Sequence, residues 1–403
     1  MSLLNAIDAY HALLTNEVGE LTQAQLSDQL KRRGLYFGER PLMSVLRPRF
    51  MAPEQYRFLE ERVVVLLSAF GKTHRAAMAD AEFRKQFALY DWEETLIADD
   101  PGFADPSPLS RLDAFFVHER GGLRFTEYNA ETPAGAAYND VLGDVVFGLP
   151  VLRDFLRDFS VRPLPVRPYV LNALLGAYEE FSGRRGATPR IAILDWLDVP
   201  TRHEFVLSAD FFAQHGIECV IADPRSAEYR NGKLYVEDAP VDLIYKRVLI
   251  SELIERCGID SDVVKAVRAR AVCMVNPFRC KILHKKLSLA VLSDERNHHL
   301  FNGREVEYIQ AHVPWTRRVE ERKTEYHGDV VDLLEFVSRQ RERFVLKPND
   351  EYGGKGIVLG WLVSDDEWQD ALRDALNDSF IVQERIELPI EKYPVFTDGE
   401  VRI

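Results

Sequence analysis

Residues 343–360 read RFVLKPNDEYGGKGIVLG. Phe344, Val345 and Leu346 make a short apolar run stopped by Pro348, the pattern of a buried strand, and Ile357, Val358 and Leu359 make a second run before Gly360. Between them lie Gly353, Gly354 and Lys355, and Lys347 closes the first strand. Glycines without a Cβ let backbone N–H groups approach a ligand closely and take positive φ. The order strand, glycine loop, strand excludes a Walker A loop and a dinucleotide-binding loop, since both open a helix. Two readings of this stretch alone stay open: a loop that folds over an anionic ligand, or a β-hairpin with a glycine turn and a solvated lysine.

The rest of the chain bears on that choice. With 403 residues, 46% hydrophobic and 29% charged, the sequence has room for two or three domains' worth of core and reads as a soluble, enzyme-sized protein. Its 64 acidic residues against 51 Lys plus Arg give a net charge of −13, a field that repels polyanions and argues against nucleic acid as partner. Cys219, Cys257, Cys273 and Cys280 form no CxxC pair, which fits reduced thiols and a cytoplasmic location. The first residues lack a signal peptide's basic region, and apolar runs such as VVVLLSAF (63–70) are too short to span a bilayer, so no membrane partner is expected.

Leu3, Leu4, Ile7, Tyr10, Leu13 and Leu14 recur at helical spacing, and 54–89 is helix-rich with a break expected at Gly71, so 1–105 reads as a helical region. Residues 111–133, RLDAFFVHERGGLRFTEYNAETP, read as two strands with a turn at His118–Gly122, inside a unit spanning 106–165. After the PLPVRP linker (163–168), strands at 190–196, 217–223 and 241–247 with a helix at 203–216 make a small three-layer α/β unit over 166–275. From 276 to 403 come a helix carrying HKKLSLAVL, an amphipathic helix marked by Val330, Leu333, Leu334 and Val337, and the strand, loop and strand already described. A helix follows, capped by Ser364 and Glu367 with Trp368, Ala371, Leu372 and Leu376 on one face, and then a strand at 379–386.

That order, with Lys347 on one strand and Gln383-Glu384 ending the last, resembles the nucleotide-binding half of the ATP-grasp fold. The resemblance implies that Lys347 contacts the α- and β-phosphates, that the loop with Gly353, Gly354 and Lys355 closes over them, and that the Gln383-Glu384 hinge lends backbone groups to adenine. A second family lysine is best matched by Lys286, with Lys285 as the fallback; a solvated helix lysine is the other reading of both. Upstream, Arg111 and Asp113 share one face of a strand, as do Glu127 and Asn129 of the next. Two carboxylates and an amide oxygen are the hard ligands Mg²⁺ takes. The family's ligand set is Asp, Glu and Asn, here Asp113, Glu127 and Asn129, and it precedes the lysines, the order of circularly permuted ATP-grasp proteins. EYNAETP is similar to the EYNADTP-like segment in the synthetase domain of glutathionylspermidine synthases, with Glu131 where those tend to have Asp.

The fold class expected is therefore α+β and α/β: a circularly permuted ATP-grasp core, a small pre-ATP-grasp-like α/β unit and a helical N-terminal region. The resemblance implies an ATP- and Mg²⁺-dependent ligase that joins a small carboxylate to an amine through an acyl phosphate, with Arg111, Lys286 and Lys347 offsetting charge. A phosphotransferase and a non-catalytic nucleotide-binding module are the alternatives. Glu391, by its offset from Glu384, is a candidate for the ribose hydroxyls. Thr201, Arg202 and Glu204 after a strand end, and Arg247 in Tyr245-Lys246-Arg247, are weaker candidates, the last for a substrate carboxylate or a strand-end salt bridge. His298 and His299 lack metal-ligand spacing and read as solvated.

Overall fold

The computed structural model describes residues 2–117, 122–351 and 353–403; the expected turn at 118–122 lies, except for Gly122, outside them. The opening stretch forms a strand at Phe344–Pro348 paired antiparallel with Val358–Leu359 on one side and Phe380–Glu384 on the other, and Thr316–Arg318 completes a four-stranded sheet. Phe344 and Leu346 are fully buried, and the capped helix Asp365–Asn377 lays Trp368, Leu372 and Ala375 over the same core. Leu376, expected on that face, is exposed, because the apolar stripe continues through Ala375. The helix expected from Val330 begins at Leu333: Asp332 caps it, and Val330 is an exposed residue of the strand Asp329–Asp332.

The α/β unit is a parallel sheet in the order Cys273–Val275, Leu243–Lys246, Ile191–Leu194, Cys219–Ala222. Its strands are buried on both faces, as parallel strands flanked by helices must be. Ala192, Leu194, Ile244 and Met274 pack toward the helices Ile250–Cys257 and Asp262–Arg268. Ile193, Tyr245 and Val275 pack toward Arg167–Ser182 and Arg202–Gln214. The chain starts at Ile191–Leu194, adds a strand on one side and then crosses to the other. The carboxyl ends of Ile191–Leu194 and Leu243–Lys246 therefore flank the point where strand order reverses, which is where open α/β sheets take ligands.

The N-terminal region is helical, with Leu3–Leu13, Asn16–Arg32 and Pro53–Ala79 as its longest elements. The last of these runs unbroken through Gly71. A single interior glycine costs about 1 kcal/mol against alanine, and the burial of Leu66, Ala69, Phe70, Thr73, His74 and Ala77 along the helix outweighs it. The hairpin Arg111–Val117 with Gly122–Asn129 packs Phe116, Leu123, Phe125 and Tyr128 against that helix and against Leu289, Leu292 and Ile309. All four cysteines are free thiols, and among the described residues no helix is long and apolar enough to cross a membrane.

Candidate functional site

The hairpin owes its chemistry to an irregularity. Strand alternation from Leu123 and Phe125 would turn Glu127 and Asn129 into the core as well. The register shifts between Asp113 and Ala114, so that Ala114 faces Phe125 and Asp113 faces Glu127, leaving Thr126 as the extra residue. The buried face then resumes at Tyr128, and Glu127 and Asn129 come to the open face opposite Asp113 and Arg111. A bulge that re-aims side chains beside a site is a recurring device.

Lys347 meets this hairpin from the other sheet. Its Nζ donates to Gln383 Oε1 at 2.7 Å and reaches the carbonyl of the bulged Thr126 at 3.4 Å. Burial pushes its pKa down to about 8, with Glu127 opposing and Lys286 reinforcing the shift. Lys286, 7% exposed, sits 3.1 Å from Glu127 Oε1 and donates to the carbonyl of Glu351 in the glycine loop. Arg111 binds Asp113 through Nε at 2.6 Å and Nη2 at 3.1 Å, and its Nη1 donates to Ala134 O at 2.8 Å. The hydrogen bond to Asp113 holds the guanidinium pKa above its usual value. Arg111, Asp113, Glu127, Lys286 and Lys347 thus gather although 160 to 240 residues separate the hairpin from the lysines. The amide Nδ2 of Asn129 is buried beside them with no hydrogen-bond partner.

The loop has two parts. Asn349 is 3% exposed and pinned on four sides: its N–H donates to Ser379 O, its carbonyl accepts from Lys286 N, Oδ1 accepts from Leu287 N and Nδ2 donates to Phe87 O. Gly353 and Gly354 are exposed, with φ of +65° and +81°, and Lys355 pairs with Glu351 at 3.1 Å in solvent. The base is pinned and the tip is exposed.

Other expected residues fall elsewhere. Gln383 is buried and spends its side chain on Lys347 and on Thr316 Oγ1. Glu384 accepts from Tyr326 OH at 2.5 Å and lies 3.2 Å from His327 Nε2, while its own N–H is taken by Trp315 O and that of Arg385 by Arg343 O. The amide donors of 384 and 385 are therefore committed to the sheet, against the expectation of a hinge with exposed donors at this point. Glu391 pairs with the fully buried Arg47 at 2.5 Å and accepts from Tyr393 OH. Arg47 and Tyr393 line a cleft of about 890 Å³ walled by Phe50, Phe147, Phe155 and Phe159, between the N-terminal region and the helices Ala136–Gly148 and Pro150–Phe155.

At the end of the parallel strands, Arg247 donates to Pro133 O at 2.5 Å and Tyr245 OH at 3.3 Å and lies 3.5 Å from Glu204, with its buried Nε unpartnered. Glu204 also accepts from Gly135 N and Ala137 N at the start of the helix Ala136–Gly148. The neighbouring Asp195 carboxyl is pushed up to about 6 by burial. Thr201 precedes the Arg202–Gln214 helix without a side-chain cap, and of the two histidines His299 is exposed. Pro133 and Ala134 are adjacent, so one turn of chain links the Arg247 end to Arg111.

Lys285 is no phosphate candidate: it is buried against Glu93 Oε2 at 2.7 Å. It belongs to a cluster that sequence reasoning missed, built of Glu93, Glu131, Lys246, Lys281, His284, Lys285 and Asp350. A lysine beside a short apolar helix looks the same in sequence whether it is solvated or buried; only Glu131, which stands out in EYNAETP, carried a visible mark.

No family model matches the chain, and no curated protein matches it. Among solved structures, a glutathione synthetase-like effector (GSS30) from Globodera pallida, in its apo form, superposes with a TM-score of 0.62 at 14% identity, over 95% of this chain and 85% of that one. The chain has the mixed α/β fold of that protein.

Proposed function

We propose that the protein is an ATP-dependent carboxylate–amine ligase built on a circularly permuted ATP-grasp core, with 111–129 supplying what other arrangements of the fold place after the lysines. The reading rests on one observation: Lys347 from the sheet and Lys286 from the start of the helix Leu287–Ser293 both meet Glu127 of the hairpin. Mg²⁺ fits the oxygens present, because Asp113 and Glu127 face each other in register and Asn129, opposite Arg111, adds an amide oxygen, while its unpartnered Nδ2 is left to donate to a phosphate. When bound, it would supply charge neutralisation at the phosphates. Among the described residues no group of three His, Cys, Asp or Glu side chains is arranged to hold a metal ion, so such a site would use two carboxylates and the amide.

Arg111, Lys286 and Lys347 would orient the triphosphate and offset charge as a substrate carboxylate attacks the γ-phosphorus and ADP leaves. The loop tip would exclude water from the acyl phosphate until an amine displaces phosphate. Arg247, at the strand-order switch point and one turn from Arg111, would hold a substrate carboxylate through exchange of its contact with Glu204.

The test is ATP consumption against panels of carboxylic acids and amines, with Glu127→Gln as control. ADP, phosphate and an amide are expected from the parental protein. Glu127→Gln should lower turnover by at least about 100-fold while the melting temperature stays near parental. A stable phosphorylated product would make the protein a phosphotransferase. Parental turnover in the variant, or no ATP consumption by the parental protein, would sink the ligase reading.

A further inference from the structure

The seven-residue cluster around Glu131 joins parts of the molecule that are distant in sequence. Glu131 follows the hairpin, Lys246 ends a central strand of the parallel sheet, Lys281 opens the short helix Lys281–His284, and Asp350 is in the base of the glycine loop. Lys281 Nζ donates to both oxygens of Asp350 at 2.7 Å and lies 3.4 Å from Glu131 Oε2. Glu131 Oε1 lies 3.3 Å from Lys246 Nζ and accepts from Ile250 N, the first residue of the helix that follows the strand end. Each step from Arg247's neighbour Lys246 to the loop is thus one ion pair long.

The cluster is not arranged for stability alone. Buried ion pairs are often replaced by apolar residues without loss, and buried polar atoms usually find a partner. Here Glu93 Oε1, Glu131 Oε2 and His284 Nδ1 are buried without a hydrogen bond. Burial would raise the Glu131 carboxyl, yet Lys281 and Lys246 hold it below the usual range; burial keeps His284 neutral, with a pKa near 4. What the charges achieve is directional: they fix Asp350, whose neighbour Asn349 is pinned, three residues before Gly353 of the exposed tip.

We propose that Glu131 is a positioning residue which, through Lys281 and Asp350, sets the base of the glycine loop relative to the strand-order switch point of the parallel sheet. Its consequence for ligand binding rests on the nucleotide reading above; its consequence for the loop base does not. Among the described residues Glu131 forms no ion pair with the loop or with Lys347; its contact with Asp350 runs through Lys281, which lies 3.4 Å from one and 2.7 Å from the other.

The experiment uses the full chain with Glu131→Gln, Asp350→Asn and the double variant. Two measurements are made: hydrogen exchange over 349–351 without ligand, and the dissociation constant for a non-hydrolysable ATP analogue with Mg²⁺. Both single variants should speed exchange at the loop base and weaken binding by about 10-fold, and the double variant should be no weaker than the worse single one, because both act through Lys281. Lower melting temperatures with unchanged exchange and unchanged affinity would reduce the cluster to a structural plug and overturn the proposal, as would additive losses. If the parental protein binds no nucleotide, the ligase reading fails, and the exchange data still decide the positioning role. Should Glu131→Gln not fold, Lys281→Arg, which keeps the charge but lengthens the link, replaces it with the same expected outcomes.

Discussion

Two groups of charges lie side by side in this molecule. Around Glu131, three lysines (246, 281, 285) face three carboxylates (Glu93, Glu131, Asp350), all nearly or fully out of solvent, with a neutral histidine beside them. Around Lys347, three cations (Arg111, Lys286, Lys347) face two carboxylates (Asp113, Glu127), with partial exposure. In the first group Lys281 is held above its ordinary pKa: burial opposes the charge, and Glu131, Asp350 and Glu93 outweigh it. In the second, burial wins and Lys347 drops to about 8. A balanced cluster closes on itself, whereas one left with a surplus positive charge and an unpartnered amide is completed by an anion.

Removing one lysine from each group should therefore have opposite results. Lys281→Met leaves Asp350 and Glu131 buried without their shared cation and should cost about 3–5 kcal/mol. Lys347→Met removes a charge that the ligand-free fold already disfavours, so that variant should be no less stable than the parent in urea at pH 7. Mg-ATP should stabilise the parent by about 2.7 kcal/mol at a hundred times its dissociation constant, and Lys347→Met far less. Equal losses of stability in the two variants would erase the distinction between the groups.

The sequence made the second group readable and hid the first. Lys347, the glycine loop and the capped helix lie in one continuous stretch whose apolar period and Ser364–Glu367 box are local signals. Arg111 and Asp113 were legible as one strand face. Glu127 and Asn129 were legible as sharing a face too, but the bulge at Thr126 that brings them opposite Asp113 and Arg111 while Tyr128 packs on Phe70 was not, because it lies in the pairing of two strands. Lys281, Lys285 and Asp350 are buried only because five separate elements converge on them, and no local pattern marks that. The same holds for Glu391: its spacing from Glu384 suggested a ribose ligand, while tertiary packing hands it to Arg47.

Asp195 tests the comparison from the acidic side, since among the described residues it is a buried carboxylate with no ion pair. Burial raises it to about 6 from an ordinary value near 3.8. Between those two pH values the folded state keeps a proton that the unfolded chain has released, so its contribution falls as pH rises from about 4 to about 6 and stays lost above. Asp195→Asn should then be more stable than the parent by up to about 3 kcal/mol at pH 7.5, with the difference vanishing near pH 3.5. Denaturant melts at the two pH values decide it. A variant less stable at pH 7.5 would mean that Arg247 balances Asp195 after all and that the switch point is charge-balanced like the Glu131 cluster.

The smallest expected effect on stability belongs to the loop tip. Lys355 is mostly exposed and pairs with a half-exposed Glu351, a surface contact worth at most about 0.5–1 kcal/mol. Lys355→Ala should therefore leave the fold within about 0.5 kcal/mol of the parent. The same lysine sits one residue past Gly354, in the exposed turn proposed to close over the phosphates, so its loss should weaken Mg-ATP binding several-fold, by roughly one charge's interaction with a phosphate in partly solvated surroundings. Asp350→Asn, at the pinned end of the same loop, should weaken binding and lower stability together. Paired melts and titrations of the two variants thus separate a tip that acts only on the ligand from a base that also belongs to the core. If Lys355→Ala leaves affinity unchanged while Lys347→Met abolishes it, the tip does not close over the phosphates, and Gly353 and Gly354 serve only to turn the chain between two strands.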